Sequence, residues 1–319
     1  MSRTEPEEPE VFTFPTMRNL SKEERKSVTH SEFWIPEAER ELYKSALAAL
    51  NEAGVPYVVA GAYAIYEHTG IIRQTKDLDL FCTPEAVLQA MQVLKDAGMI
   101  TRLEQPHWIG KAISRHDRDH FIDIIYGMGN GLALIDDDWF QHSSPAILAA
   151  TQVRVAPPEE LIWHRLFIHE RHRHDMADVA HLILLKGKLM DWRRLLAKVG
   201  EDWPLLLSQV MMFRYVYPGY RDQVPQWVVR DLLDRAEAAS AQQAAEGDEH
   251  ELTRGTMISR FSFAIDVNEW GFHDLRAEKI AAMKRHPEIV KLEASHVWDE
   301  RADDETDPVG IPDRADTEE

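Results

Sequence analysis

The chain has 319 residues, of which 44% are hydrophobic, with a single cysteine and a formal net charge of −19. That is enough apolar material for one large domain or two ordinary ones, but one thiol excludes a disulfide framework, so a reduced, cytoplasmic setting is expected. No run approaches about 18 apolar residues, and the acidic start from Met1 to Glu10 lacks the apolar centre of a signal peptide, which speaks against a membrane or secretory role. The two tails contribute −3 and −8 of the charge. The rest offers no broad basic surface, so a long DNA or RNA ligand is disfavoured.

In chain order, residues 1–30 read as a disordered lead and 36–53 as an amphipathic helix. Tyr57-Val-Val-Ala60 is a short buried strand, Gly61-Ala62 a tight turn of small residues, and Ala64 to His68 the helix that follows. A strand carries Asp77-Leu-Asp79-Leu-Phe81, and Pro84 to Ala97 forms the next helix. Strands near Ile109 to Ser114 and His120 to Tyr126 flank a polar turn in which Asp117 and Asp119 are turn residues. A strand at Gln152 to Ala156 closes this half. Helices then follow at about 158–171, 175–186, 191–199, 203–217, 225–245 and 274–298, punctuated by Pro204, Pro218 and Pro225. Gly255 to Phe263 and Asp266 to Gly271 read as packing between helices. The fold class is α+β: a short, mixed, twisted sheet with flanking helices, followed by an all-helical C-terminal region. The expected divisions are a lead over 1–30, an α/β domain over 31–156, a helical domain over 157–298 and an acidic disordered tail over 299–319.

The chemistry concentrates at Asp77 and Asp79. Side chains two apart on a strand leave the same face, roughly 6.6 Å apart at about 3.3 Å per residue, so both carboxylates can converge on one hard cation. Leu78 and Leu80 point the other way, into a core. The Gly61-Ala62 turn enters a helix whose free N–H groups and positive dipole end favour a phosphate, and small residues let the anion approach. Arg73, Thr75 and Lys76 lie just before the carboxylates. Asp123 is the only acid in a β-branched and aromatic strand, where an unpaired carboxylate is costly, so it is expected to face a metal, a cation or water.

Hydrophobic strand, Gly turn, helix and Asp-x-Asp together resemble the nucleotidyltransferase superfamily with the DNA polymerase β-type fold. The segment Arg73-Gln-Thr75-Lys-Asp77-Leu-Asp79 is most similar to its prokaryotic branch, which includes aminoglycoside-type enzymes and nucleotidyltransferase toxins of toxin–antitoxin pairs. Ala62 departs from the Gly or Ser usual in that family and offers no hydroxyl. Pro157-Pro-Glu-Glu-Leu-Ile-Trp-His-Arg165, followed by Asp175 and Asp178, resembles a second family pattern in which Arg165 stands for the usual Lys. The resemblance implies Mg²⁺ (or Mn²⁺) held by Asp77, Asp79 and Asp123, with Asp123 also acting as base. It implies phosphate contacts from Gly61, Ala62, Arg73, Thr75, Lys76 and Arg165. It further implies transfer of a nucleotide from an NTP, such as ATP, to a hydroxyl of a small molecule, protein or RNA by a two-metal mechanism, with ions about 3.5–4 Å apart.

Two other readings accompany this one. The first is a catalytically inactive nucleotide-binding or regulatory module of the same fold, including a toxin–antitoxin component with a protein partner. The second is a His/Asp metal-dependent hydrolase, since His174, Asp178 and His181 follow an i, i+4, i+7 spacing.

Overall fold

The computed structural model describes residues 35, 37–72, 75, 77–171, 173–241 and 251–295. The expected lead over 1–30 and tail over 299–319 lie outside the described residues, as do Arg73 and Lys76.

The chain enters through helix α1 (Glu37–Glu52), whose residues Tyr43, Ala46, Leu47 and Leu50 are buried. Their i, i+3, i+4, i+7 spacing gives one apolar face, as the sequence predicts. Strand β1 (Val58–Val59) leads into α2 (Gly61–Thr69), and β2 (Asp77–Phe81) follows. A 3₁₀ turn at Pro84–Ala86 runs into α3 (Val87–Asp96). Next come β3 (Ile100–Gln105), β4 (Ile109–Ile113), β5 (Phe121–Ile125), the short α4 (Asp138–Gln141), β6 (Ser144–Leu148) and β7 (Thr151–Val155).

These seven strands form one mixed sheet in the order β3-β4-β5-β2-β1-β7-β6. Strand β2 lies at its centre, parallel to β5 and antiparallel to β1. The β2–β5 register sets Asp79 beside Asp123, and the antiparallel β4–β5 register sets Lys111 beside Asp123. Leu78 and Leu80, with Ile122 and Ile124, face the opposite side and are almost fully buried. The alternation therefore separates a wet acidic face from a dry one.

Beyond the sheet come α5 (Pro158–Arg165), α6 (Met176–Lys186), α7 (Trp192–Val199), α8 (Trp203–Val216) and α9 (Gln226–Ala241). They are followed by α10 (Ala264–Asn268), α11 (Leu275–Ala282) and α12 (Pro287–Ser295). One apolar cluster runs from Ile35 to Leu292. Among the described residues no helix is long and apolar enough to cross a membrane.

Several boundaries differ from those expected. The helix predicted over 158–171 stops at Arg165, and the chain then turns, with His169 and His174 forming an isolated bridge. The helix predicted over 274–298 is two helices, broken at 283–286 ahead of Pro287, which disfavours helical backbone in the residue before it. Strands β3 and β6 were not expected. The C-terminal region also contains a small two-stranded sheet, β8 (Leu252–Thr253) with β9 (His273–Asp274). At the segment from Gly255, Asn130 donates to the Met257 carbonyl, and Ser259 donates to Glu170.

Candidate active site

Asp77, Asp79 and Asp123 meet on the open face of the sheet, each offering a carboxylate oxygen within 4.8 Å of the others. Among the described residues they form the one group of acids, histidines and cysteines close enough to share an ion. His174, Asp178 and His181 are not brought together: His174 lies against the His169 ring, and Asp178 pairs with Arg165.

Each carboxylate has a distinct environment. Thr75 donates its hydroxyl hydrogen bond to Asp77 Oδ1 and so fixes that carboxylate's rotamer. Burial, followed by the neighbouring Asp77 and Asp123, pushes Asp79 up to about 7, with Arg173 and then Arg165 pulling the other way. Burial likewise pushes Asp123 up to about 6, opposed by Lys111, whose Nζ lies 3.6 Å from Oδ1. Asp123 Oδ1 is buried without a hydrogen-bond partner. Three acids this close cannot all ionise without a counter-charge, and an orphaned carboxylate oxygen is what a cation would satisfy. The donor set is all oxygen, which fits a hard divalent ion such as Mg²⁺ or Mn²⁺.

Gly61 borders the triad directly. Its φ is +55°, in the region that favours glycine, and a methyl group built there would sit 1.6 Å from Asp79 Oδ2. The backbone thus passes against the Asp79 carboxylate at the first residue of α2, and no side chain caps that helix end. Ala62 is buried in the same first turn. An uncapped N-terminus beside a metal-type cluster can receive a phosphate.

On the same sheet face, Phe81 packs against the Trp139 and His164 rings at centroid distances of 5.0 and 5.3 Å. Burial, followed by Arg165 and Arg173, holds His164 down to about 3, so the imidazole is neutral in this aromatic plug. The plug seats α5, and α5 determines where the cations behind it lie.

Arg165 is buried, with its side chain 3% exposed. It donates to Asp178 Oδ2 at 3.2 Å and to the Leu161 carbonyl at 3.3 Å, and lies 3.8 Å from Asp175. Asp175 in turn accepts from Arg173 through both oxygens. Arg165 therefore lies beside Asp175, the acid that orients Arg173, and Arg173 is the cation of this segment within electrostatic reach of Asp79 and Asp77 whose side chain is 57% exposed. The basic run from Arg165 to His174 carried that signal, but only the end of α5 decides which of its cations is buried and which stays exposed. Replacing Arg165 by Met removes the buried guanidinium that pairs with Asp178 and lies beside Asp175, and is expected to cost about 3–5 kcal/mol in urea unfolding.

Two further neighbours could not be read from the sequence. Lys111 reaches the site only through the β4–β5 register. Glu39, brought by α1, lies 3.4 Å from His120 at the start of β5; burial raises its carboxyl, against the pull of His120. A separate cavity of about 320 Å³ is lined by Trp163, Phe167, Met128, Met257 and Lys198, and none of the three carboxylates lines it.

The sequence matches the family described as "Uncharacterised nucleotidyltransferase" over residues 22–214. The chain belongs to this nucleotidyltransferase family. The match takes in the whole seven-stranded sheet and α5 to α7. No curated protein matches the chain.

Solved structures similar to this nucleotidyltransferase include the antibiotic-resistance factor ANT(2'')-Ia, at 15% identity and TM-score 0.36, covering 65% of this chain and 98% of that one. JHP933 from Helicobacter pylori matches at 16% identity and TM-score 0.34, covering 66% of this chain and 100% of that one. The lincosamide antibiotic adenylyltransferase LnuA matches at 17% identity and TM-score 0.32, covering 46% of this chain and 96% of that one. Likenesses this loose transfer no residue role.

Proposed function

We propose that this nucleotidyltransferase moves a nucleoside monophosphate from an NTP to a hydroxyl of an acceptor, with Asp77, Asp79 and Asp123 as its working centre. The observation that carries the reading is the register-fixed meeting of the three carboxylates beside the Gly61 backbone. Bound there, Mg²⁺ or Mn²⁺ would lower the charge of the phosphates and the proton affinity of the attacking oxygen.

The protein's own part follows from its residues. The α2 N-terminus at Gly61 and Ala62 receives the triphosphate. Thr75 keeps Asp77 in its rotamer, and Asp123 takes the acceptor's proton. The acceptor oxygen then bonds to the α-phosphorus, the bond from that phosphorus to the bridging oxygen breaks, and pyrophosphate leaves. Arg173, steered by Asp175, neutralises the leaving group with a forked guanidinium. Arg165 acts through Asp175 in this reading. Arg73 and Lys76 keep their expected phosphate contacts as part of the proposal. So do the division at 156/157 into a nucleotidyltransferase domain and a helical domain, and the cytoplasmic setting.

The direct test is transfer of label from α-³²P-labelled NTPs to acceptor pools of small molecules, protein and RNA, scored with pyrophosphate release. Label transfer that requires a divalent ion is expected. NTP binding without pyrophosphate release in any pool would favour the inactive-module reading. Arg173→Ala is expected to reduce transfer about 10²–10³-fold, as for loss of one charged stabiliser of a transition state, with Arg173→Lys recovering part of it. Equal rates for wild type and Arg173→Ala would remove that residue from the mechanism.

A further inference from the structure

The cavity of about 320 Å³ lies between the loop after β5, the end of α5 and α11. That volume is at the lower end of the roughly 300–1,000 Å³ typical of small-molecule sites. Trp163 and Phe167 line it, their rings edge to face at 6.5 Å, together with the thioethers of Met128, Met257 and Met283. Thioethers reshape around a ligand and make favourable contacts with ring edges, so the lining suits an aromatic body. Met257, Lys279, Ala282 and Met283 all lie beyond the family-matched residues 22–214. The cavity is therefore completed by what this chain adds to the family's shared core.

Three charged side chains line it, and two of them are already matched. Lys198 Nζ lies 3.2 Å from Asp136, 3.3 Å from Asp138 and 3.7 Å from Glu160, and 4.9 Å from the Trp163 ring centroid. Lys279 pairs with Glu201, which also has Arg254 at 4.0 Å. The third is Asp202, which has no ion-pair or hydrogen-bond partner among the described residues. It holds the N-cap position of α8, where an Asp ordinarily accepts from the N–H groups of the first turn, yet its side chain makes no such bond. Burial raises its carboxyl, Lys279 and Arg254 pull the other way from within electrostatic reach, and Glu201 adds to the rise. A carboxylate that neither caps its helix nor pairs with a cation, at the wall of an apolar cavity, is a group that a ligand's ammonium would satisfy. An anionic ligand would meet two lysines committed to their own acids and one uncommitted carboxylate.

We propose that this cavity is a second small-molecule site, which takes an aromatic amine of one or two rings: the rings lie against Trp163, Phe167 and the methionine thioethers, and the protonated amine meets Asp202. The site does not depend on the reading of the triad, since none of the three carboxylates lines the cavity.

The test uses the full-length protein carrying ¹³C-methyl methionine, with tryptamine, its neutral counterpart tryptophol and the anion indole-3-propionate as probes. A ligand of about a dozen heavy atoms is expected to bind in the millimolar range. Tryptamine is expected to shift the methyl resonances of Met128, Met257 and Met283, with tryptophol about tenfold weaker and the anion weaker still. Asp202→Asn is expected to bring tryptamine down to the affinity of tryptophol, and Ala282→Trp, which fills the cavity, to abolish binding of all three. If Ala282→Trp does not fold by near-ultraviolet circular dichroism, Ala133→Met serves the same purpose. Asp79→Asn is expected to leave tryptamine binding unchanged. No shift of these methyls with any probe at about 5 mM would overturn the proposal. So would binding of indole-3-propionate as tight as that of tryptamine, a tryptamine preference that survives Asp202→Asn, or loss of binding in Asp79→Asn.

Discussion

Asp79→Asn is expected to reduce nucleotide transfer by at least about 10³-fold, because it removes a carboxylate from the centre of a three-carboxylate cluster on which any bound cation depends. The same change is expected to make the metal-free fold more stable at neutral and alkaline pH. Asp79 has a folded-state proton affinity raised from 3.8 to about 7. Between those values the folded chain holds a proton that the unfolded chain has released, so stability falls as pH rises through that window and is flat on either side. At about 1.4 kcal/mol per pH unit, the penalty above pH 7 is on the order of 2–4 kcal/mol, and the neutral amide escapes it. Thermal unfolding in EDTA from pH 4 to pH 8.5 should therefore show wild type and variant diverging as pH rises, with the variant higher above pH 7. Adding Mg²⁺ should raise the wild-type midpoint at pH 8 more than at pH 5, because binding displaces protons only where they are still held. Parallel pH curves would show that Asp79 carries no such burden.

Gly61→Ala is the second large effect. The added methyl would fall 1.6 Å from Asp79 Oδ2, at a backbone φ of +55°. A left-handed conformation alone costs an alanine about 1–2 kcal/mol. The collision costs more, because either Asp79 leaves its rotamer or α2 moves off the sheet. Loss of transfer by at least about 10²-fold is expected, with a drop in stability of about 3 kcal/mol or more. The two parts separate in a double-mutant cycle. With Asp79 replaced by Gly, the methyl meets no carboxylate, and only the backbone part of the penalty should remain. A Gly61→Ala penalty equal in both backgrounds would mean that the contact with Asp79 is not what requires glycine.

The sequence carried the site's acids well because their signal is local. Alternation puts Asp77 and Asp79 on one face, and an acid inside Phe121-Ile-Asp-Ile-Ile125 can be stable only beside a cation or water. Gly61 was legible for a similar reason, as a small residue between strand and helix. The cations were not legible in the same way. Arg165 and Arg173 share a basic run, and only the early end of α5 and the Asp175 bridge decide that the first is buried while the second, more exposed, lies within electrostatic reach of the triad. Lys111 required the β4–β5 register, which depends on the geometry of the turn joining the two strands. Among the elements, β6 was obscured by Pro145, tolerated because β6 is an edge strand. Strand β3, also at an edge, leaves most of its side chains exposed and so has little apolar alternation. The break in the last helices, by contrast, was signalled by Pro287 and could have been read from it.

The parallel pairing of β2 with β5 has a kinetic consequence. Parallel neighbours cannot be joined by a tight turn, and here the connection includes α3 and the entire β3–β4 hairpin. Asp79 and Asp123 therefore meet only after a long loop has closed, at an entropic cost that local elements do not bear. In the proposed site, affinity for a cation would develop with that closure and not before it. Recovery of ion binding during refolding is expected to lag behind recovery of helical signal, which would make the centre a reporter of this long-range closure.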